Sequence, residues 1–297
     1  MEKVKTGNKK HSGYVALIGR TNVGKSTFLN NIMEVKVSIV SNKPQTTRKQ
    51  ILGIKTTKKG QIVFFDSPGI HRPHFKLNEK MMQDVQASLM EADIILYFID
   101  IGDRKEDEFA LSLLKGLNKT TFLVINKIDK FSKTKILEKI NYFKDMHPWQ
   151  EIVPISALKG TSLDLLEELI YKYLPGGEGF YPADEYTLQT KKFYVSELIR
   201  EKVLHHADAE LPFTTTVKVE EMTDRGTVMY IRAEIYVEKR SQKKILVGKQ
   251  GNFVKTIGKL ARVELEDYFE KKVYLDLFVK IVPNWRNSAS ILSQLEG

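Results

Sequence analysis

The sequence predicts an α/β unit built on a mostly parallel six-stranded sheet, followed by a separate α+β unit. Short apolar runs alternate with amphipathic stretches through residues 13–175, the signature of strands joined by crossover helices. The run Pro175-Gly176-Gly177-Glu178-Gly179 then ends the alternation. From about residue 193 the order of patterns changes to α-β-β-α-α-β.

The element positions follow from the same patterns. Strands are expected at 14–19, 50–56, 61–66, 94–100, 121–126 and 152–156, and helices at 77–91, 106–117 and 162–173. The second and third strands are separated only by the turn around Lys58-Lys59-Gly60. That is too short for a crossover, so those two strands should pair antiparallel. The second unit should open with a helix at 196–207 and continue with strands at 214–222 and 228–238 about the turn Thr223-Asp224-Arg225-Gly226. Two helical pieces flank 248–251, and 273–282 is a last strand. The expected boundaries are a basic tail at 1–12, a first unit at 13–175, a linker at 176–192 and a second unit at 193–297.

Bulk chemistry narrows the function classes. With 47 basic and 37 acidic residues the net charge is +10, which biases the chain toward nucleic acid or an anionic membrane surface. The chain has no cysteine, which excludes disulfides, thiolate metal sites and cysteine nucleophiles. The six histidines show no H-E-x-x-H spacing; His71 and His74 read as loop residues. Residues 1–12 lack the apolar core of a signal peptide. The longest apolar run, 94–99, falls far short of the roughly 20 residues a membrane span needs. A cytoplasmic protein is expected. With no M-G start and no terminal C-a-a-X, any attachment to the cytoplasmic face of the cell membrane would be peripheral and reversible.

The first motif is Gly19-Arg20-Thr21-Asn22-Val23-Gly24-Lys25-Ser26-Thr27, a G-x-x-x-x-G-K-S between a strand and a helix. Its glycines let the backbone wrap a phosphate chain, with the amides at the helix start pointing at the anion. Lys25 would reach the β- and γ-phosphates, and the Ser26 hydroxyl would bind Mg²⁺. Asp66-Ser67-Pro68-Gly69 closes the third strand, where an NTPase places its metal-side acid. Asn126-Lys127-Ile128-Asp129 follows the fifth strand and Ser156-Ala157-Leu158 the sixth. A carboxylate at Asp129 can accept two hydrogen bonds from guanine, at N1–H and the 2-amino group that adenine lacks. Each of the last three motifs is weak alone; in order at strand ends they form one constellation.

On these residues the chain resembles the GTPase superfamily, and more closely the bacterial Era family, along nearly its whole length. Lys43-Pro44-Gln45-Thr46-Thr47-Arg48 is similar to that family's first switch, and Asp66-Ser67-Pro68-Gly69-Ile70-His71 to its second. The resemblance implies GTP and GDP as substrate and product, and Mg²⁺ on Ser26, Asp66 and Thr47, with Thr46 as the alternative threonine. The implied catalytic set is Lys25, Thr47, Gly69 and Asn22. Ile70 stands where many GTPases carry a water-orienting glutamine. Asn22 resembles the P-loop asparagine of potassium-activated relatives, so K⁺ is expected to supply charge there. Hydrolysis should be slow, with stimulation by K⁺ and RNA. The family's usual proline and threonine are replaced by Thr21 and Ser67.

The second unit carries Val247-Gly248-Lys249-Gln250-Gly251, a G-x-x-G between two helical patterns. The α-β-β-α-α-β order resembles the type II KH fold, whose G-x-x-G loop clamps nucleotides. Residues 241–262 carry Lys243, Lys244, Lys249, Lys255, Lys259 and Arg262 with no acidic residue, a basic surface for a phosphate backbone. The expected RNA contacts are Lys244, Val247, Gly248, Lys249, Gln250, Gly251, Lys255, Lys259 and Arg262. Phe253 reads as core, with base stacking as its alternative. Trp285-Arg286 is similar to a family tail feature. The family implies a monomeric switch that binds the 3′ end of 16S rRNA during assembly of the 30S subunit. A GTP-gated RNA chaperone with incidental hydrolysis, or a membrane-peripheral regulatory GTPase, are the alternative readings.

Overall fold

The computed structural model describes residues 10–103, 108–207 and 210–295. Of the expected elements, the basic tail and the start of the 106–117 helix lie wholly or partly outside them. The chain forms two compact units. One holds the chain up to Ser38 together with Thr47–Arg72 and Lys80–Leu188. The other holds Ile39–Thr46, Pro73–Glu79 and the chain from Gln189 onward.

The first unit is a six-stranded sheet. Its strands are β1 (His11–Gly19), β2 (Ile51–Thr57), β3 (Gly60–Asp66), β4 (Ile94–Asp100), β5 (Thr120–Asn126) and β6 (Glu151–Pro154). They lie in the order β2-β3-β1-β4-β5-β6, all parallel except the β2–β3 pair. Its helices are α1 (Lys25–Met33), α2 (Lys76–Glu91), α3 (Glu108–Ser112), α4 (Lys133–Phe143) and α5 (Leu163–Tyr173). The first strand starts at His11 because His11 and Ser12 already pair with Gly60 and Gln61. That places two residues of the expected basic tail inside the sheet. One face of the sheet buries Ala16, Ile18, Ile95, Tyr97 and Ile125 with Met82, Val85 and Leu89 of α2 and Phe143 of α4. On the other, Phe28 of α1 packs edge-on to Phe64 and against Phe98.

The segment after Pro175 is irregular, as its composition predicts, but it is pinned to β2 and β3. The Ile54 amide donates to the Tyr186 carbonyl at 2.9 Å and the Thr187 hydroxyl to the Leu52 carbonyl at 2.8 Å. Gln61 accepts from the amides of Phe180 and Tyr181. The strand β2 is therefore not left as a bare edge.

The second unit is an antiparallel–parallel sheet of three strands. They are β7 (Thr216–Asp224), β8 (Val228–Val237) and β9 (Lys272–Ile281), in that spatial order. It also holds α6 (Lys191–His206), α7 (Leu211–Thr214), α8 (Arg240–Val247), α9 (Asn252–Phe269) and α10 (Ala289–Gln294). The order α6-β7-β8-α8-α9-β9 is the expected one, with short α7 and α10 added. The α6 helix starts five residues before its expected position, because Thr190 caps it by accepting from the Phe193 amide at 3.1 Å. It is buried nearly all round, Arg200, Glu201 and Lys202 included, so its sequence lacks the one-sided stripe that marks a surface helix. Those charges are paired: Arg200 with Glu197 at 2.5 Å, and Lys202 with Glu201 at 3.0 Å. Arg200 also donates to the Thr46 carbonyl, and Glu201 accepts from the Val40 amide at 3.0 Å.

Trp285 is fully buried, and its indole N–H donates to the Thr214 carbonyl at 2.9 Å. Arg286 pairs with Glu238 at 2.7 Å. The Trp285-Arg286 tail feature thus anchors the end of the chain within this unit.

Gly60 opens β3 at φ +139°, and a Cβ there would sit 1.9 Å from the His11 carbonyl oxygen. Gly60→Ala should therefore destabilise the protein by about 3 kcal/mol, through strain and a backbone clash. Urea unfolding of the two proteins checks this; an unchanged midpoint would mean that β1 shifts freely to make room.

Candidate functional site

The parallel strands deliver their C-terminal ends to one edge of the sheet, and the loops there carry the sequence motifs. Gly19 ends β1 at φ +148°, with Phe98 O only 2.3 Å from where a Cβ would stand. Gly24, at φ +98°, presses against the side-chain amide of Asn126, 2.3 Å from its own missing Cβ. Asn22 also takes a left-handed conformation, at φ 63°. The loop 19–26 therefore wraps tightly and hands its amides to the start of α1.

Lys25 is buried, and its ammonium donates to the carbonyls of Gly19 and Arg20, both at 2.9 Å. Burial lowers its pKa from 10.5 to about 8, with the carboxylate of Asp66 pulling the other way. Asp66 is fully buried, and burial pushes its carboxyl up. Its Oδ2 accepts from the hydroxyls of Ser26 at 2.6 Å and Ser38 at 2.9 Å. Ser26 Oγ also lies 2.9 Å from Thr47 Oγ1. Ser26, Thr47 and Asp66 thus meet at one point. The Thr46 hydroxyl instead donates to the Lys43 carbonyl at 2.7 Å. Asp66 Oδ1 is buried without a hydrogen-bond partner. Two hydroxyls and a carboxylate with a spare oxygen suit Mg²⁺, which takes few protein ligands and completes its shell with phosphate and water. Ser38 was not singled out in the sequence; nothing distinguishes its hydroxyl from those around it until the chain folds.

The second expected switch lies against the first motif. Ile70 N–H donates to the Gly19 carbonyl at 3.0 Å. A Cβ on Gly69 would come within 2.7 Å of the Thr21 backbone. Ser67 and Pro68 are buried, and the Ser67 hydroxyl donates to Ser88 Oγ at 2.7 Å. Ile70 is sunk in the core with Ile18 and Met82, so this position serves packing.

The loops after β5 and β6 are knotted together by Asn126. Its Nδ2 donates to the Val23 carbonyl at 2.8 Å, and its Oδ1 accepts from the amides of Lys127 at 2.7 Å and Ala157 at 2.9 Å. Lys127 reaches back to the Asn22 carbonyl at 2.7 Å and pairs with Asp100 at 2.7 Å. Asp129 accepts from the Ser156 hydroxyl at 2.6 Å, and Asn31 donates to the Ala157 carbonyl. Leu158 remains 65% exposed, an apolar side chain at the rim of this cluster. Asp100 and Asn31 escaped the sequence reading. An acid at the end of β4 beside the N-K-x-D lysine was the available signal for Asp100. Thr27 sits half-buried in the first turn of α1.

In the second unit, Gly248 holds φ 70°, ψ 179°, a conformation essentially restricted to glycine. Gln250 and Gly251 are left-handed. This chain of turns opens α9, with the Gly251 amide donating to the Gly248 carbonyl and the Asn252 amide to the Lys249 carbonyl. Lys244, Lys249, Lys255, Lys259 and Arg262 are exposed, and among the described residues none has a carboxylate partner. Lys255, Lys259 and Arg262 line a groove of about 360 Å³ with Val254, Gly258, Leu275 and Leu277. Val247 and Phe253 are half-buried against the core of this unit, so the structure assigns Phe253 to packing.

A family model described as "50S ribosome-binding GTPase" matches residues 14–127, and one described as "KH domain" matches 210–286. GTPase Era of Halothermothrix orenii is 44% identical over 287 residues, covering 96% of this chain and 97% of that one. GTPase Era of Heliobacterium modesticaldum is 42% identical over 288 residues, 96% of each. Two solved Era structures, each 41% identical and covering 97% of this chain and 99% of theirs, superpose with TM-scores of 0.93 and 0.92. The first is a complex with MgGDPNP and nucleotides 1506–1542 of 16S ribosomal RNA. The second is an Aquifex aeolicus variant bound to GDP and AlF4⁻.

The depressed pKa of Lys25 has a measurable sign. The unfolded chain keeps this proton up to about 10.5 and the folded, nucleotide-free chain only to about 8. Between those values the unfolded state binds more protons, so this group's contribution to stability improves as pH rises from 8 to 10.5. A phosphate chain restores the charged form. Nucleotide binding at pH 8 should take up roughly half a proton, and affinity should fall from pH 7 to 9. Calorimetry in buffers of different ionisation enthalpy reads the uptake; none at pH 8 would mean that Lys25 is already fully charged.

Proposed function

The chain belongs to the Era family of GTPases, and from that premise we propose a GTP-hydrolysing switch that grips the 3′ end of 16S rRNA and assists assembly of the 30S subunit. The observation that carries the reading is the meeting of Ser26, Thr47 and Asp66 beside the loops knotted by Asn126. The description of the matched GTPase model speaks of the 50S ribosome, but that match ends at residue 127, before the RNA half begins. The relative holding 16S rRNA aligns with 97% of this chain, which supports the small subunit over the large one.

In this reading the amides of 20–25 cradle the phosphates and Lys25 spans the β- and γ-groups. Ser26, Thr47 and Asp66 hold Mg²⁺, which neutralises charge across the β- and γ-oxygens. The Gly69 amide meets the γ-phosphate. Asp129 accepts from guanine N1–H and the 2-amino group, with Ser156 fixing its carboxylate. A backbone amide of the Ser156-Ala157-Leu158 loop meets the guanine oxygen. Arg20, Thr21, Val23, Thr27, Ser67, Pro68, Lys127 and Leu158 complete the walls. With Ile70 in the core, no glutamine follows the switch glycine to orient the water, so turnover depends on added charge and positioning. K⁺ at Asn22 and the first-switch backbone is the proposed source. Turnover should then be at least tenfold faster in KCl than in NaCl at equal ionic strength; equal rates remove K⁺ from the mechanism.

The RNA half uses Gly248–Gly251 as the backbone clamp, with Lys244, Lys249, Lys255, Lys259 and Arg262 on the phosphates. The protein acts as a monomer in the cytoplasm. Its unpaired cations are also the surface through which it would touch an anionic membrane; among the described residues no helix is long and apolar enough to cross one. Sedimentation with anionic vesicles reads that contact.

Asp129→Asn should weaken GTP about 100-fold while gaining xanthosine nucleotides, whose 2-oxo group suits the amide. Unchanged GTP affinity would move the base elsewhere. A labelled 3′-end oligonucleotide, titrated at fixed salt, should bind more tightly with a GTP analogue than with GDP and better than a scrambled strand. Equal binding to both strands would leave only a basic surface. RNA should also raise single-turnover hydrolysis at least tenfold; no stimulation supports the chaperone alternative. Gly251→Asp, at φ 77° and ψ 11°, fits the left-handed turn that aspartate tolerates. It should weaken RNA about tenfold and leave GTP binding untouched.

A further inference from the structure

Asp66 receives two hydroxyls on the same oxygen. Ser26 donates to its Oδ2 at 2.6 Å and Ser38 at 2.9 Å, while Oδ1 is buried with no hydrogen-bond partner. A carboxylate oxygen has two lone pairs, so these donors fill Oδ2. Ser26 belongs to the metal set already described. Ser38 does not, and it is 2% exposed beside a carboxylate that is fully buried.

The Ser38 hydroxyl is held there by more than its own bond. Asn30 Oδ1 accepts from the amides of Val37 at 3.0 Å and Ser38 at 2.9 Å, and its Nδ2 donates to the Ser38 carbonyl at 2.7 Å. Asn30 lies four residues after Ser26 on α1, so the two project from one face of that helix. One helix therefore holds Asp66 twice, directly through Ser26 and indirectly through Asn30 and Ser38. An asparagine that commits its amide to one short stretch of backbone fixes a position. What that position presents is a hydroxyl aimed at Asp66.

The second donor matters because the terminal torsion of an aspartate is broad and close to two-fold, so a loosely held carboxylate can present either oxygen. We propose that Ser38 is a positioning residue for the Mg²⁺ site: held by Asn30, it ties off Oδ2 of Asp66 and leaves Oδ1 as the oxygen open to the metal's shell. The proposal rests on the Mg²⁺–nucleotide reading above and adds to it a residue that does not itself ligate the ion. Without this hydroxyl the buried carboxylate loses a donor that favours its charged form and turns more freely, so the metal binds less tightly. No hydrogen bond of Lys25, Asn126 or Asp129 involves Ser38, so the hold on nucleotide in the absence of metal is unaffected.

Full-length wild type and Ser38→Ala would be loaded with a fluorescent GDP analogue, and its release followed in EDTA and across a Mg²⁺ titration. The variant should need about tenfold more Mg²⁺ to slow release to half its metal-free rate, while its rate in EDTA stays within about twofold of wild type. A serine that only supported the fold of the pocket would, when lost, speed release with and without metal alike. Should Ser38→Ala lose its cooperative unfolding transition, Asn30→Ala serves as the second test. It keeps the hydroxyl but removes the clamp, and it should raise the Mg²⁺ requirement at least about threefold with the EDTA rate again near wild type. A Mg²⁺ requirement within about twofold of wild type in the folded variant overturns the proposal, as does an equal acceleration in EDTA. If Mg²⁺ does not slow release from wild type at all, the metal reading itself falls, and this inference with it.

Discussion

The side-chain amide of Asn126 fixes where three loops meet. Its donor holds Val23 and its acceptor holds Lys127 and Ala157, loops that follow β1, β5 and β6. Buried, each of these hydrogen bonds is worth more by being unbreakable than by its net strength, since a lost partner leaves a desolvated polar group. The glycine facing it cannot carry a side chain, because Asn126 Nδ2 occupies that space. The phosphate loop and the base loops are therefore held in one register by one residue, and Asp129 and Lys25 inherit their positions from it.

Much of this was legible in the sequence, and for a physical reason. Wrapping a phosphate chain needs glycines at fixed spacing, so 19–26 announces itself. A parallel sheet needs long crossovers, so strand and helix alternate and the β2–β3 pair stands out by its short turn. The type of the second unit was legible from its element order. What stayed hidden were features decided by tertiary contacts. The burial of α6 on nearly every side erases its periodicity, and its true start depends on Thr190. Ile70 reads as a missing glutamine in sequence and as a core residue in space. Thr46 and Thr47 are indistinguishable until one meets Ser26 and the other turns to Lys43.

The two halves meet their anions by different means. In the first unit the charges are buried, few and individually placed: one lysine with a pKa near 8, one carboxylate raised by burial. Such groups discriminate, because desolvation makes every mismatch costly. Around the G-x-x-G turn and α9 of the second unit, Lys244, Lys249, Lys255, Lys259 and Arg262 are exposed and have no carboxylate partner among the described residues. Exposed charges attract any polyanion and are screened by salt, so selectivity there must come from the shape of the groove they rim.

The second unit is assembled from three stretches of chain, Ile39–Thr46, Pro73–Glu79 and everything from Gln189. Arg200, 1% exposed, and Glu201, 3% exposed, take part of their satisfaction from the first of these. The RNA-binding half is thus not a portable module in the sense that gene fusion or recombination would require. An exchange that carried only the C-terminal segment into another protein would leave behind the carbonyl and amide that those buried charges hold.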